Sequence, residues 1–224
     1  MTNILQKVLT IDDKRIIFFH PENDDTIFGT ISCLREKKFH LEDVVFNKDD
    51  VIIDLGCNIG LVSLVLAAFN PDVKIYSFDA GKVAVDCLRA AAAINSFTNI
   101  QVFHNAVGVE NKQVNFYSNG KDVSCLVGEG FNDTNKVLEE TIHQISIDTI
   151  FDSELFNIQR VKYLKMDIEG AEFSIFDHLF EKRNDILDRI DYLHLEIHPR
   201  VELNPIELKN RVSEKFGNRV FFDT

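Results

Sequence analysis

With 224 residues, the chain is long enough for one α/β domain with a sizeable core and short for two. Hydrophobic residues make up 45% of it and charged residues 27%, a balance typical of a globular protein rather than a disordered or fibrous one. The formal net charge of −12 repels phosphate backbones, and no basic patch offsets it, so we expect no nucleic-acid partner.

Two further features bear on the compartment. No apolar run approaches the ~20 residues of a membrane span, and no basic segment precedes an apolar one at the N-terminus. We therefore expect no transmembrane helix, no signal peptide and no membrane partner. The cysteines form no CxxC pair, which indicates free thiols in a cytoplasmic protein. They are Cys33, Cys57, Cys87 and Cys125.

The first part of the chain is predicted to be an extension with short elements of its own. Two apolar runs flank a turn at 12–14, which predicts a hairpin over 4–20, and helical spacing follows over 26–37. We predict that residues 1–45 form this substrate-side extension and that residues 46–224 form the main domain.

From residue 51 onward, short apolar runs alternate with segments of helical spacing. Val51-Ile52-Ile53 is entirely apolar, as expected for a strand buried on both faces of a parallel sheet. Further strands are predicted at 73–78, 100–103, 161–166, 192–197 and 219–222, and helices at 60–69, 83–94, 171–180 and 205–216. The pattern predicts an α/β fold with a doubly wound, Rossmann-like, mostly parallel sheet, into which residues 112–147 insert an antiparallel excursion.

In such a sheet a ligand binds beyond the carboxyl ends of the strands. After the first strand comes Asp54-x-Gly56-x-x-x-Gly60, where Gly56 permits close approach to the backbone and Gly60 permits tight packing. The spacing is neither a dinucleotide fingerprint nor a Walker loop, since no lysine follows Gly60. Asp54 suits a cationic amino-acid group and would repel a pyrophosphate. The alternative is a strand-to-helix turn with glycines for steric reasons alone.

The ends of the next two strands fit a nucleoside. Asp79 follows the second strand, 25 positions after Asp54, where a carboxylate accepts hydrogen bonds from both ribose hydroxyls. Asn105 and Ala106 follow the third strand, and the amide of Asn105 offers a donor and an acceptor to an adenine edge. All three residues also fit ordinary turns, and that alternative stays open.

Acidic residues crowd the ends of the fourth and fifth strands. Because these ends are neighbours in the predicted sheet, we expect Asp167, Glu169, Glu196 and His198 to converge on one pocket. Such a set suits a divalent cation, or a general base with a pKa near neutrality, which would be His198. The alternatives are acids stabilised at a helix N-terminus and a histidine that only donates to a carbonyl group.

With these motifs in this order, the sequence resembles the FkbM family of S-adenosylmethionine-dependent methyltransferases. The resemblance rests on blocks that occur in the family's order, and KMDIEGAE is the most specific of them. The blocks are VIIDLGCNIG (51–60), YSFD (76–79), NAVG (105–108), IDTI (147–150), KMDIEGAE (165–172) and EIHP (196–199). The resemblance implies a class I methyltransferase fold and O-methylation of a sugar, a polysaccharide unit or a polyketide-like natural product.

The resemblance also implies a role for each matching residue. It assigns the methionine end of the cofactor to Asp54, Gly56, Asn58 and Gly60, the ribose to Asp79, and the adenine to Asn105 and Ala106. Asp167 would bind the cofactor where it faces the transferring methyl group. With His198 as the base, Asp167 and His198 are the predicted catalytic residues.

The sequence departs from the family pattern in three places. The second motif usually has Glu followed by Pro, whereas here it reads Asp79-Ala80-Gly81, and Cys57 replaces the usual alanine. A closing antiparallel hairpin generally follows the fifth strand, and only residues 219–222 remain to make it. The chain is then naturally short, truncated, or completed by a partner's strand, which leaves a homodimer open.

Three functional hypotheses result. The leading one is an enzyme that binds S-adenosylmethionine and methylates a hydroxyl of a small-molecule or glycan acceptor, with His198 or a divalent cation assisting deprotonation. A divalent cation is possible at this position, but we do not expect one. The second is a catalytically silent protein that binds the same cofactor or acts as a scaffold, motivated by the altered turn after Asp79 and the absent hairpin. The third is a nicotinamide-dependent oxidoreductase, which the glycine spacing fits poorly.

Overall fold

The computed structural model describes residues 3–118, 126–127, 137–198 and 203–223. In chain order the strands are β1 (Ile4–Ile11), β2 (Lys14–Pro21), β3 (Val51–Leu55), β4 (Lys74–Asp79), β5 (Ile100–His104), β6 (Ala106–Gly108), β7 (Lys112–Ser118), β8 (Leu126–Val127), β9 (Val137–Ser146), β10 (Val161–Met166), β11 (Ile190–Leu195) and β12 (Val220–Phe222). The α-helices are α1 (Thr26–Arg35), α2 (Leu61–Phe69), α3 (Lys82–Ile94), α4 (Ile147–Asp152), α5 (Glu172–Lys182), α6 (Asn184–Leu187) and α7 (Pro205–Phe216). Short 3-10 helices span Leu41–Asp43 and Gly217–Arg219.

Six parallel strands form the central sheet in the order β12-β11-β10-β3-β4-β5. Successive residues of β3 point to opposite faces, so Ile52 packs into one apolar core and Ile53 into the other. The predicted doubly wound parallel sheet is therefore confirmed. Strand order reverses between β3 and β10, and their carboxyl ends form the switch point at which such folds bind ligands.

Helices cover both faces of this sheet. On one face α4 to α7 bury side chains such as Phe176 and Leu208, and on the other the hairpin and α1 to α3 bury Phe18, Ile27 and Leu88. Each fully buried side chain of this size contributes about 1.5–3 kcal/mol relative to an exposed one. Because the two cores meet only through the sheet, the strand ends are held from both sides.

The predicted N-terminal hairpin is present, and α3 holds it in place. β1 and β2 pair antiparallel along their whole length. Just after α3, the side-chain amide of Asn95 donates to the Ile17 carbonyl (2.6 Å) and accepts the Ile17 N–H (2.9 Å). Asn95 thus satisfies both backbone groups of Ile17, as a neighbouring strand would. The division into residues 1–45 and 46–224 stays a prediction.

The predicted excursion is a second sheet in the order β6-β9-β7-β8. β7 pairs antiparallel with β8 and with β9, as predicted, whereas β6 pairs parallel with β9. The prediction missed β6 because a strand of three residues shows no alternation of its own. Residues 119–125, with Cys125 among them, and 128–136 lie outside the described residues.

The last strand differs from the family pattern in its direction. β12 pairs parallel with β11, so residues 220–222 extend the sheet and form no antiparallel hairpin with it. α4 and α6 were not predicted either, since helices of six and four residues contain too little periodicity.

Two expectations of the sequence concern the chain as a whole. Cys33, Cys57 and Cys87 are free thiols, as predicted for them. Within the described ranges, no helix combines the length and the apolar character that crossing a membrane requires.

Candidate active site

The loop at residues 56–60 is shaped by two close contacts within the protein. Gly56 has φ +73°, and a Cβ atom on it would lie 1.6 Å from the carbonyl oxygen of Asp167. Gly60 has φ +82°, and its Cβ would lie 2.2 Å from Cδ1 of Leu88. The tight packing expected at Gly60 is therefore present, against α3. Gly56 brings the end of β3 into contact with the chain leaving β10.

Lys165 holds two carboxylates at the base of this loop. Its ammonium lies 3.4 Å from Asp54 Oδ1 and 3.3 Å from Asp167 Oδ2, and it donates to the Gly56 carbonyl at 3.0 Å. Burial lowers the pKa of Lys165, but the neighbouring Asp167 and Asp54 carboxylates outweigh burial and raise the pKa overall, so the ammonium stays charged.

Asp54 is paired inside the protein. It is fully buried, and its second oxygen accepts the Ser63 hydroxyl at 2.6 Å. Its carboxylate faces Lys165 and Ser63 and holds Lys165 against the loop. Contact of Asp54 with a ligand's amino group stays a prediction. In the sequence, Lys165 stands near the end of a mostly apolar strand, and nothing there identifies its partner.

Asp79 connects the loop to the start of α3. Its Oδ2 accepts the Asn58 N–H and its Oδ1 accepts the Gly81 N–H, both at 2.7 Å. The shorter acid thus closes its own turn where the family usually has Glu-Pro. Burial raises the pKa of Asp79 to about 6, against the lowering effect of the two N–H donors. Binding of a ribose by Asp79 stays a prediction.

Asn105 and Ala106 make contacts inside the protein that limit what they offer a ligand. The Asn105 side-chain amide donates to the His143 carbonyl at 3.0 Å. The methyl group of Ala106 is buried with Phe116 and Ile142. One N–H of this amide is therefore already used, and adenine binding would draw on its other N–H, on Oδ1 of Asn105 or on the backbone. That role stays a prediction.

A cavity of about 230 Å³ opens between the loop and α1. It brings together four of the predicted site residues: Gly56, Asn58, Gly60 and Asp167. Asp79, Asn105 and Ala106 do not line it. The sequence did not point to the wall residues Ile27, Thr30, Cys33, Lys165 and Asp223. Those on α1 belong to an ordinary amphipathic helix, and only the packing of α1 over the loop brings them to the cavity.

At the acidic end of the site, His198 is surrounded by carboxylates. Its Nδ1 lies 3.1 Å from Glu172 Oε1, and its Nε2 lies 3.4 Å from Glu196, 3.5 Å from Glu169 and 3.7 Å from Asp167. The expected convergence of Asp167, Glu169, Glu196 and His198 is thus present.

The same surroundings raise the pKa of His198. Burial lowers this pKa, but hydrogen bonds to Glu172 and Glu196 and the charge of Glu169 outweigh burial and raise it to about 11. The role of His198 as a general base stays a prediction.

The chain is similar to known methyltransferases. A family model described as the methyltransferase FkbM domain matches residues 54–205. Methyltransferase 1 of Beauveria bassiana (strain ARSEF 2860) is 26% identical over 161 residues, which cover 65% of this chain and 64% of the relative. Methyltransferase sdnD of Sordaria araneosa is 24% identical over 168 residues, which cover 62% and 64%. The chain thus spans less than two thirds of the length of these curated relatives.

Among solved structures, a putative methyltransferase from Streptococcus mutans in complex with SAH is 12% identical and has a TM-score of 0.39. The alignment covers 71% of this chain and 69% of that chain. The family match, by contrast, extends from the fourth residue of β3 to the first residue of α7 and covers more than half of the chain. The chain therefore belongs to the FkbM methyltransferase family.

Proposed function

We propose that this protein binds S-adenosylmethionine across the ends of β3 and β4 and transfers its methyl group to a hydroxyl of a small-molecule or glycan acceptor. The observation that carries the proposal is the cavity between α1 and the 56–60 loop, which ends at Asp167 and Glu196. Family membership and the two relatives named as methyltransferases support the reaction class. The hydroxyl as acceptor rests on the family resemblance.

The cofactor would lie across two environments. The cavity, at about 230 Å³, is smaller than the roughly 300–1,000 Å³ of common ligand pockets, so it suits one end of the cofactor. We assign it the amino-acid end, beside Gly56 and Asn58. Asp79 does not line the cavity, but its carboxylate accepts the N–H of Asn58, which does. A ribose bound by Asp79 would therefore lie on the other side of Asn58 from the amino-acid end of the cofactor.

The proposed reaction requires mainly that the acceptor hydroxyl be aligned with the methyl group of the cofactor. In the transfer, the bond from the methyl carbon to the sulfonium sulfur breaks as the bond to the acceptor oxygen forms, and the hydroxyl loses its proton. Since the donor is already activated, the protein contributes by fixing the acceptor in line with the breaking bond. Asp167 lines the cavity and is held by Lys165, so its carboxylate has a fixed position for orienting the acceptor.

The test is calorimetric titration with S-adenosylmethionine, followed by transfer of radiolabelled methyl groups to a panel of sugars and small hydroxylated compounds. We expect micromolar binding, weakened at least tenfold in Asp79→Ala and unchanged in Asp86→Ala, which alters an exposed acid on α3. Circular dichroism establishes that both variants are folded. Absence of any binding heat for the unmodified protein would rule out the proposal.

A second candidate is a protein that binds the cofactor without transferring its methyl group. It is favoured by the edge of the sheet, where β12 pairs parallel with β11 and the described residues form no antiparallel hairpin of the kind that closes the sheet in the family. Calorimetric binding combined with no label transfer to any acceptor in the panel would select this candidate.

A further inference from the structure

We propose that Asp167, Glu169 and His198 form a binding site for a divalent transition-metal cation, with Nε2 of His198 as its nitrogen ligand. One ligand atom from each of these three side chains lies within 4.8 Å of the other two. The three come from the segments that follow β10 and β11, neighbouring strands of the central sheet, so the sheet fixes their spacing.

The distances around Nε2 fit metal ligands better than hydrogen bonds. Nε2 lies 3.5 Å from Glu169 Oε2 and 3.7 Å from Asp167 Oδ1, longer than the ~2.7–3.2 Å of an ordinary N–H···O bond. Ligand atoms at about 2.1–2.4 Å from one ion are separated from each other by roughly 3–4 Å. Nε2 is thus already separated from each of the two oxygens by the distance expected between adjacent ligands.

The other nitrogen of the ring is held as a metal-bound histidine requires. A histidine that ligates a metal through one nitrogen usually donates its other N–H to a carboxylate, which fixes the tautomer and the ring orientation. Nδ1 of His198 lies 3.1 Å from Oε1 of Glu172, which also accepts the Ile168 N–H at 3.1 Å. Glu172 thus aims Nε2 at Asp167 and Glu169.

Glu172 supplies a second, independent observation. Its side chain is fully buried, it contacts the cluster through His198, and its Oε2 has no hydrogen-bond partner among the described residues. A buried carboxylate oxygen without a partner is costly unless a nearby positive charge compensates it. An acidic side chain in the first turn stabilises a helix, which accounts for the presence of Glu172 at the start of α5. It does not account for the burial of Oε2 without a hydrogen-bond partner.

The charges of the cluster also favour a cation. Asp167, Glu169, Glu172 and Glu196 surround the single imidazole of His198. Lys165 approaches the other oxygen of Asp167 and is shared with Asp54, so it does not fill the space beside Nε2. A divalent ion beside Nε2 would displace the proton of that nitrogen and would be stabilised by these carboxylates. The competing occupant is the ammonium group of the cofactor, which is also a cation.

One nitrogen and two carboxylate oxygens suit a cation such as Mn²⁺ better than Ca²⁺ or Mg²⁺, which prefer all-oxygen sites. Three protein ligands leave coordination positions for water or for an acceptor hydroxyl. A coordinated hydroxyl loses its proton more readily, so a cation at this site would assist deprotonation of the acceptor. This role rests on the proposed function, whereas the binding site itself does not.

The experiment titrates MnCl₂ into the full chain without cofactor or acceptor and follows the loss of the free-Mn²⁺ electron paramagnetic resonance signal. We expect one site per chain, weakened at least tenfold in His198→Gln and in Glu169→Gln. The matched control is His178→Gln, because His178 forms an ordinary pair with Asp148 at 3.0 Å, and its binding should equal that of the unmodified protein. Thermal unfolding verifies that each variant is folded.

Equal Mn²⁺ binding by the unmodified protein and His198→Gln would overturn the site, as would loss of Mn²⁺ on adding saturating S-adenosylmethionine. The second result would assign the cluster to the cofactor's ammonium group. A tenfold preference for Mg²⁺ over Mn²⁺ in a competition titration would overturn the assignment to a transition metal. Because the titration contains no cofactor, it can succeed even if methyl transfer is never found.

Discussion

Replacing Gly56 with alanine tests the claim that the loop is shaped by contact with Asp167. The added Cβ would start 1.6 Å from the Asp167 carbonyl oxygen, so the two backbones would have to separate by well over 1 Å. Such a separation would weaken two hydrogen bonds. One runs from the Asp167 N–H to the Leu55 carbonyl (3.0 Å), and the other from the Lys165 ammonium to the Gly56 carbonyl (3.0 Å). With about 1–2 kcal/mol for a left-handed alanine and about 0.5–1.5 kcal/mol for each of the two hydrogen bonds, we expect a loss of about 2–5 kcal/mol.

Alanine substitutions at two other glycines separate the cost of backbone strain from the cost of the contact with Asp167. Gly217 also has a positive φ (+60°), but an added Cβ meets nothing within 4 Å, so Gly217→Ala should cost about 1–3 kcal/mol for backbone strain alone. Gly29 lies inside α1 with open space around it, and Gly29→Ala should stabilise by about 0.5–1 kcal/mol. The assay is urea unfolding followed by circular dichroism. If Gly56→Ala loses no more stability than Gly217→Ala, the contact with Asp167 does not matter and the reasoning fails.

Three further substitutions test other parts of the structure. Lys165→Met leaves Asp54 buried without its counter-charge and should lower the free energy of unfolding by about 3–5 kcal/mol, part of which Asp54→Asn restores in the double variant. For Asp79, the pKa of about 6 in the fold exceeds the ordinary 3.8, so its contribution to stability is complete below about pH 4 and is lost as the pH rises through 6. The change is roughly 3 kcal/mol, and Asp79→Asn should remove it from urea unfolding measured between pH 4 and 8. Asn95→Ala removes both hydrogen bonds to the Ile17 backbone and should destabilise by about 1–3 kcal/mol, with faster hydrogen exchange in β2.

Each of these expectations has an outcome that contradicts it. Lys82→Met breaks an exposed ion pair with Asp86 and should lower the free energy of unfolding by only about 0.5 kcal/mol. If Lys165→Met lowers it by no more than Lys82→Met, burial of the Lys165–Asp54 pair is unimportant. An unchanged pH dependence in Asp79→Asn would mean that another group titrates. Exchange in β2 that is as slow in Asn95→Ala as in the unmodified protein would show that packing alone holds the hairpin.

The parallel sheet could be predicted because its strands are buried on both faces and therefore consist of apolar runs such as Val51 to Ile53. Polar residues directly after those runs, such as Asp79 and Asp167, marked the edge where the site lies, since parallel strands end at the same edge. Local pattern thus predicted which residues lie at that edge of the sheet.

Partnerships between distant residues could not be predicted in the same way. Lys165 and Asp54 are separated by more than 100 positions, and nothing in either segment shows that the two side chains pair. The raised pKa of His198 could not be predicted for a related reason, because it depends on how many carboxylates the fold places around the ring. Such electrostatic effects follow from three-dimensional distances, which one sequence does not encode locally.

The attachment of the hairpin to Asn95 has a consequence during synthesis. Ile17 precedes Asn95 by 78 residues, and at about 5–20 residues per second the ribosome needs roughly 4–16 s to make the chain between them. Until then Ile16 and Phe18, both buried in the finished fold, lack the part of their covering surface that α3 provides. We expect chaperones that recognise short apolar strands to bind the nascent chain during that interval.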